Sequence, residues 1–350
     1  MFGLAIGDAL GYPTEFLTLE RMAARYGAWR DLELPLTEGV ALVTDDTQMA
    51  LAVGDALLDV TQDSVADFSA ETLEPALRAH FVRWLRSPDN NRAPGQTCLT
   101  ACAALERGGP WQAASVLGSK GCGANMRVAP VGLVPGLSAE QRAGAAQLQA
   151  ALTHGHPTAL AASDLTAHAV WLLTHNCAPV ELLHWLRHYA LKSRTTYHAA
   201  WLGDLAQRAG AADPAAYIAH GWDECLRALD TVEAALRAPD PERDPCAAVG
   251  AGWIAEEALA AGLYCFLLFP EEPVTALRRA AWSSGDSDSI AALAGAFAGA
   301  SVGAPAWPGA WYRGVEHRER ILMMVGPWNT GTTSRGSRDS GGSRGGRGRG

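Results

Sequence analysis

Two acidic clusters far apart in the chain have the residue types for hydrolytic chemistry: Thr44-Asp45-Asp46 near the start and Asp286-Ser287-Asp288-Ser289 near the end. Each sets two carboxylates and a hydroxyl at the head of an Ala-rich stretch that reads as a helix. Clustered carboxylates repel one another and are costly to desolvate, so holding them together calls for a cation. Oxygen-only donors suit Mg²⁺, Mn²⁺ or Ca²⁺ better than zinc. Brought together, the clusters would form a two-metal hydrolytic site. Taken singly, each reads equally as a helix N-cap, since Thr, Ser and Asp are preferred there.

Three further stretches carry chemistry-bearing residues. Gly7-Asp8-Ala9-Leu10-Gly11 implies tight packing or a turn, and Glu15 follows four residues later, as a metal ligand, a base for water or an ordinary first-turn acid. The stretch Gly118-Ser119-Lys120-Gly121-Cys122-Gly123-Ala124-Asn125-Met126-Arg127 is a glycine loop with a Lys inside, of the kind whose backbone N–H groups cradle a diphosphate. It follows no strand and lacks dinucleotide-fold spacing, so no nicotinamide cofactor is implied. Thr153-His154-Gly155-His156-Pro157 puts two imidazoles at a helix break, placed to contact a ligand or merely to stand by.

The elements that must position these residues are helices. Apolar residues recur at three- and four-residue intervals over 46–60, 74–86, 96–107, 139–152, 158–174, 180–191, 222–237, 253–269 and 274–282, and β-branched alternation is scarce. Gly295, Gly299 and Gly303 form a four-residue stripe in 290–303. Gly costs ~1 kcal/mol against Ala in a helix interior, so the stripe predicts a central helix with a close neighbour. That helix would carry Asp286 and Asp288 inward. The expectation is one all-α domain over 1–325 and a disordered Gly/Ser/Arg-rich tail over 326–350.

Composition narrows the class. The net charge is −9, and the five Arg and one Asp from Ser334 onward leave −13 on the rest. So acidic a body is a poor nucleic-acid binder, the Arg-Gly tail excepted. The seven cysteines form no Cys-x-x-Cys pair, which argues against a disulfide framework or structural zinc. With no signal peptide or stretch long enough to span a bilayer, a cytoplasmic protein that avoids membranes is expected.

In order and together, Gly7–Glu15, Thr44–Met49, Gly118–Arg127, Leu152–His154, Trp253–Leu259 and Ser284–Gly303 resemble the ADP-ribosylglycohydrolase family. That resemblance implies a compact single-domain orthogonal helix bundle with two Mg²⁺ or Mn²⁺ ions in a dinuclear cleft. Thr44, Asp45, Asp46, Asp286, Asp288 and Ser289 would be the ligands. Glu15, with Asp45 and Asp288, would be catalytic. Gly118, Ser119, Lys120, Gly121, Cys122, Gly123 and His154 would bind the substrate. Ser289 stands where many members have Thr and keeps the hydroxyl. The implied reaction is cleavage at C1″ between ADP-ribose and a protein side chain (arginine favoured) or a small molecule, by a monomer. Rival readings are action on O-acetyl-ADP-ribose, ADP-ribosyl-serine or ADP-ribosylated nucleic acid, and a non-catalytic ADP-ribose binder.

Overall fold

Gly3, Gly7 and Gly11 repeat the four-residue spacing seen near the C-terminus, and the two stripes meet. In the computed structural model, which describes residues 1–62 and 64–329, a helix Phe2–Gly11 lies against the helix Ser287–Val302. A Cβ on Gly3 would stand 2.0 Å from the Gly295 carbonyl oxygen, and one on Gly7 2.0 Å from that of Ala291. No side chain fits at either crossing. The helix Phe2–Gly11 was not predicted, because its glycines depress helix propensity and mask its periodicity; packing stabilises it instead. Of the predicted stripe, Gly295 makes the close contact. Gly303 ends the helix at φ +76°, a conformation that favours glycine.

The rest of the bundle follows the predicted periodicity, and the ends shift for local reasons. Pro157 and Pro179 open the helices Pro157–Thr174 and Pro179–Ser193, where a missing N–H costs nothing. The stretch predicted from Trp222 begins at Pro214, capped by Asp213, whose side chain accepts from Ala215 N. The stretch predicted from Trp253 turns helical only at Ala255, because Trp253 and its neighbours pair with the glycine loop. Among the described residues the β-type pairing is confined to isolated bridges, and the fold is all-α. No helix among them is long and apolar enough to cross a membrane. The helix Arg318–Asn329 continues past Gly326, the first residue assigned to the tail. The remaining tail, 330–350, lies outside the described residues.

Candidate active site

Thr44 is the N-cap of the helix Asp45–Thr61, so Asp45 and Asp46 occupy its first turn. The cap is clamped from outside by Asp8 of the first helix. Asp8 accepts from Thr44 N (3.0 Å), Thr44 Oγ1 (2.8 Å), Thr47 N (3.0 Å) and Thr47 Oγ1 (2.5 Å). A carboxylate at a helix N-terminus satisfies orphan donors and complements the dipole. Sequence reading took Asp8 only as part of a stretch of tight packing or a turn, and the packing is there; beyond that, Asp8 fixes the helix start that carries Asp45 and Asp46.

The second acidic cluster is pinned just as closely. Asp286 precedes the helix Ser287–Val302 and donates its N–H to Ala251 O at 2.9 Å. Gly285 has no room for a Cβ, which would lie 1.9 Å from that same oxygen. Thr14 Oγ1 sits 2.7 Å from both Gly11 O and Ala281 O and 3.0 Å from Ser287 Oγ, tying the turn that leads to Glu15 onto this helix. As a result, ligand atoms of Glu15, Asp286 and Asp288 all lie within 4.8 Å of one another.

The two clusters open onto one cavity of about 300 Å³, lined by Glu15, Asp45, Asp46, Asp286, Asp288 and Ser289 on the acidic side. Two larger hollows, of about 780 and 640 Å³, lie elsewhere and gather no comparable group of acids. Thr44 does not line the cavity: its hydroxyl donates to Asp8 and accepts from Asp46 N at 3.3 Å. Gly121, Cys122, Gly123 and His154 line the same cavity. A Cβ on Gly123 would come within 2.9 Å of Cys98 Sγ and 3.1 Å of the His154 ring, so a larger residue there would have to displace one of them.

The first half of the glycine loop departs from expectation. Gly118, Ser119 and Lys120 are not among the lining residues. Lys120 Nζ donates to Glu224 at 2.9 Å and to Glu256, and so does not reach toward a diphosphate. Cys122 N–H is spent on Trp253 O at 3.1 Å, which joins the loop to the segment ahead of the helix Ala255–Leu268. Ala93, Gly95, Gln96, Thr97, Cys98, Met126, Phe16 and Trp253 complete the lining. Of these, sequence reading had placed Trp253 and Met126 only within matching stretches. Gly95, whose N–H donates to Asp45 Oδ2 at 3.2 Å, gave no signal at all.

The field inside the cavity is that of unneutralised acids. Burial, reinforced by Asp288, raises Glu15 to about 9. Burial raises Asp45 to about 8, Gly95 N–H partly opposing it. Burial and Asp288 raise Asp8 to about 7, against the pull of its threonine donors. Asp46 and Asp286 are pushed well above the carboxylate range for the same two reasons. Glu15 Oε2 and Asp46 Oδ2 are buried and find no donor among the described residues. Burial and nearby Arg127 lower His154 to about 3, so its imidazole is neutral.

Arg127 is wholly buried behind this wall. Its guanidinium donates to Gln149 Oε1 (2.8 Å), Gln149 O (2.7 Å) and Thr153 Oγ1 (2.8 Å) and lies 4.4 Å from the centre of the Phe81 ring. Thr153 Oγ1 in turn contacts His154 Nδ1 at 2.8 Å. Arg127 therefore links the histidine to the core.

The sequence matches the ADP-ribosylglycohydrolase family over residues 1–334. The chain belongs to that family. Its members hydrolyse ADP-ribosyl linkages, and the chain is accordingly a hydrolase of that class. A protein of Archaeoglobus fulgidus is 29% identical over 93% of both chains. The ADP-ribosyl-[dinitrogen reductase] glycohydrolase of Rhodospirillum rubrum is 34% identical over 46% of this chain and 51% of its own. The Escherichia coli protein YegU is 28% identical over 87% of this chain and 86% of its own. A solved ADP-ribosylglycohydrolase-related protein complex shares the fold, with TM-score 0.61 and 24% identity over 93% of this chain and 94% of its own. Within this family member, the matched acids and part of the matched loop line one cavity.

Proposed function

We propose that this family member is a metal-dependent ADP-ribosylhydrolase that breaks the C1″ bond between ADP-ribose and an acceptor, with an arginine side chain the favoured one. The observation that supports it is the convergence of five carboxylates from three distant segments on a cavity that Gly121–Gly123 and His154 also line. The donor set fits Mg²⁺ or Mn²⁺: it is all oxygen, and two of the oxygens are buried without a donor among the described residues. Asp45, Asp46, Asp286, Asp288 and Ser289 would hold two such ions. Thr44 gives its proton to Asp8 and accepts from Asp46 N, which leaves one lone pair to join them. Bound cations of this kind orient ribose hydroxyls, acidify water and cancel the repulsion among the acids.

The chain's own groups do the rest. Gly121, Cys122 and Gly123 let the backbone approach the diphosphate, and neutral His154 offers a hydrogen bond without adding charge. Binding there holds C1″ beside the acids. Glu15, with its unpartnered oxygen, takes the proton of the attacking water while the C1″–acceptor bond breaks, and a proton returns to the departing acceptor. The products are ADP-ribose and the unmodified acceptor. The test is release of ADP-ribose from ADP-ribosylated arginine and serine peptides and from O-acetyl-ADP-ribose, with Mg²⁺, with Mn²⁺ and with EDTA. Release that is equal in EDTA removes the metals from the reaction, and no release from any substrate removes the activity.

A further inference from the structure

Asp45 is held from two directions by one ion pair that does not itself line the cavity. Arg92 and Glu316, 224 residues apart, meet through two bonds, at 2.5 and 3.1 Å. The pair also closes on the main chain of Val43, two residues ahead of Asp45. Val43 N donates to Glu316 Oε2 at 3.0 Å, and Arg92 Nη1 donates to Val43 O at 2.5 Å. Glu316 is set in turn by its own backbone: its N–H donates to Ala41 O at 3.0 Å, while Ala41 N donates to Gly314 O at 2.8 Å. The two side chains are only 13% and 17% exposed, so solvent screens the contact little. A guanidinium that grips a carboxylate through two bonds fixes orientation as well as distance.

The same arginine governs what meets the Asp45 carboxylate. It stands in the loop 87–95, whose last residue, Gly95, donates its N–H to Asp45 Oδ2 at 3.2 Å. Between them Ala93 takes φ +50°, left-handed backbone that costs energy for a residue with a Cβ and persists only where neighbours enforce it. Further back in the loop, Gln48 Nε2 donates to Asp89 O at 3.1 Å, so releasing Arg92 would free only the stretch beside Asp45. We propose that Arg92 and Glu316 are a positioning pair for Asp45. They fix Val43 ahead of it and, through the loop, the Gly95 N–H upon it, so the carboxylate keeps one orientation in the cavity. This deepens the proposed function and rests on its making Asp45 a ligand of the bound cations. Groups that orient a ligating side chain matter about 10–100-fold to metal affinity although they touch no metal.

The experiment reads, on the full chain, the Mg²⁺ concentration that gives half of the total rise in melting temperature. Arg92→Ala and Glu316→Ala should each raise it about tenfold. The double variant should be no worse than either single one, because the two residues act as a unit. Arg320→Ala is the control: Arg320 pairs with Asp55 and so ties the helix Arg318–Asn329 to the helix Asp45–Thr61, but neither residue lines the cavity. It should at most lower the melting temperature and leave the Mg²⁺ requirement where it was. An unchanged requirement in Arg92→Ala or Glu316→Ala, or losses that simply add in the double variant, would overturn the positioning role. A parent whose melting ignores both Mg²⁺ and Mn²⁺ would instead sink the metal reading, and exchange of the Gly95 amide in EDTA then decides. Faster exchange in both alanine variants, and not in Arg320→Ala, upholds the pair; equal exchange in all of them overturns it.

Discussion

Two buried charged regions lie close together in this molecule, and they are finished to different degrees. Arg127 is a fully buried cation with no carboxylate in hydrogen-bond contact among the described residues, yet its donors meet an amide oxygen, a carbonyl and a hydroxyl, and its face is stacked on Phe81. Such a group is complete as the chain folds. The acids around Glu15 are also buried, but they face one another, and two of their oxygens meet no donor among the described residues. Burying charge is tolerated when partners are supplied. One region gets them from the chain; under the proposed function the other receives them from bound cations. On that reading the contrast separates the part of the site that holds shape from the part that does chemistry.

The most severe test of the contrast is to remove the incomplete region's charge. The double variant Asp286→Asn/Asp288→Asn should lose activity to the assay background, yet melt higher than the parent when both are measured in EDTA. Like charges at close range have then been deleted from a buried site. The parent should gain melting temperature on adding Mg²⁺, by mass action on the native state, and the variant should not. A variant that responds to Mg²⁺ as the parent does would show that cations do not bind here.

Next in size is Glu15→Gln. Size and most hydrogen bonding are kept and the proton-accepting oxygen is lost, so turnover should fall by roughly 10²–10⁴-fold. Affinity for ADP-ribose, measured by calorimetry, should move far less, since the contacts proposed for it are Gly121–Gly123 and His154 and do not include Glu15. Near-normal turnover would exclude Glu15 from proton transfer.

Arg127→Met probes the completed region. It strands the oxygens of Gln149 and Thr153 in the interior and should cost roughly 3 kcal/mol of stability in urea titration. Because this region needs nothing from outside, the loss should be the same with Mg²⁺ and with EDTA. A loss seen only with Mg²⁺ would mean that Arg127 acts through the metal wall, and the contrast drawn above would be wrong.

How much of this could be read from sequence follows the same division. The acids were legible because Thr44-Asp45-Asp46 and Asp286 to Ser289 stand at helix heads, where residue type and position reinforce one another. The bundle was legible from its helical periodicity. The helix Phe2–Gly11 was not, because glycines make close packing possible while erasing the local signal. Lys120 was misplaced because a Lys in a glycine loop gives no sign of Glu224 and Glu256, which claim it from distant helices. Asp8 and Gly95 act through contacts across the fold, and neither role has a signature in neighbouring residues.

The smallest expected effect is one of pH, and its sign follows from the direction of the shifts. Asp8, Asp45 and Glu15 titrate at about 7, 8 and 9 in the metal-free fold, above their unfolded values near 4. Between those limits the folded chain holds more protons than the unfolded one, so stability falls as pH rises. This contribution is full below about pH 4 and is lost on passing through the folded values. Other groups slope as well: the buried thiols, such as Cys98, pushed up to about 11, also lose stability for the fold as pH climbs. They do so with or without cations. The informative quantity is therefore the difference between urea titrations in Mg²⁺ and in EDTA, taken at pH 7 and pH 8.5. Cations keep the acids ionised in the native state and remove their share of the slope, so stabilisation by Mg²⁺ should grow with pH. The same growth should vanish in Asp286→Asn/Asp288→Asn. A Mg²⁺ effect that stays constant between the two pH values would mean that the acids are already ionised without metal, and that the field inside the cavity is compensated by something other than cations.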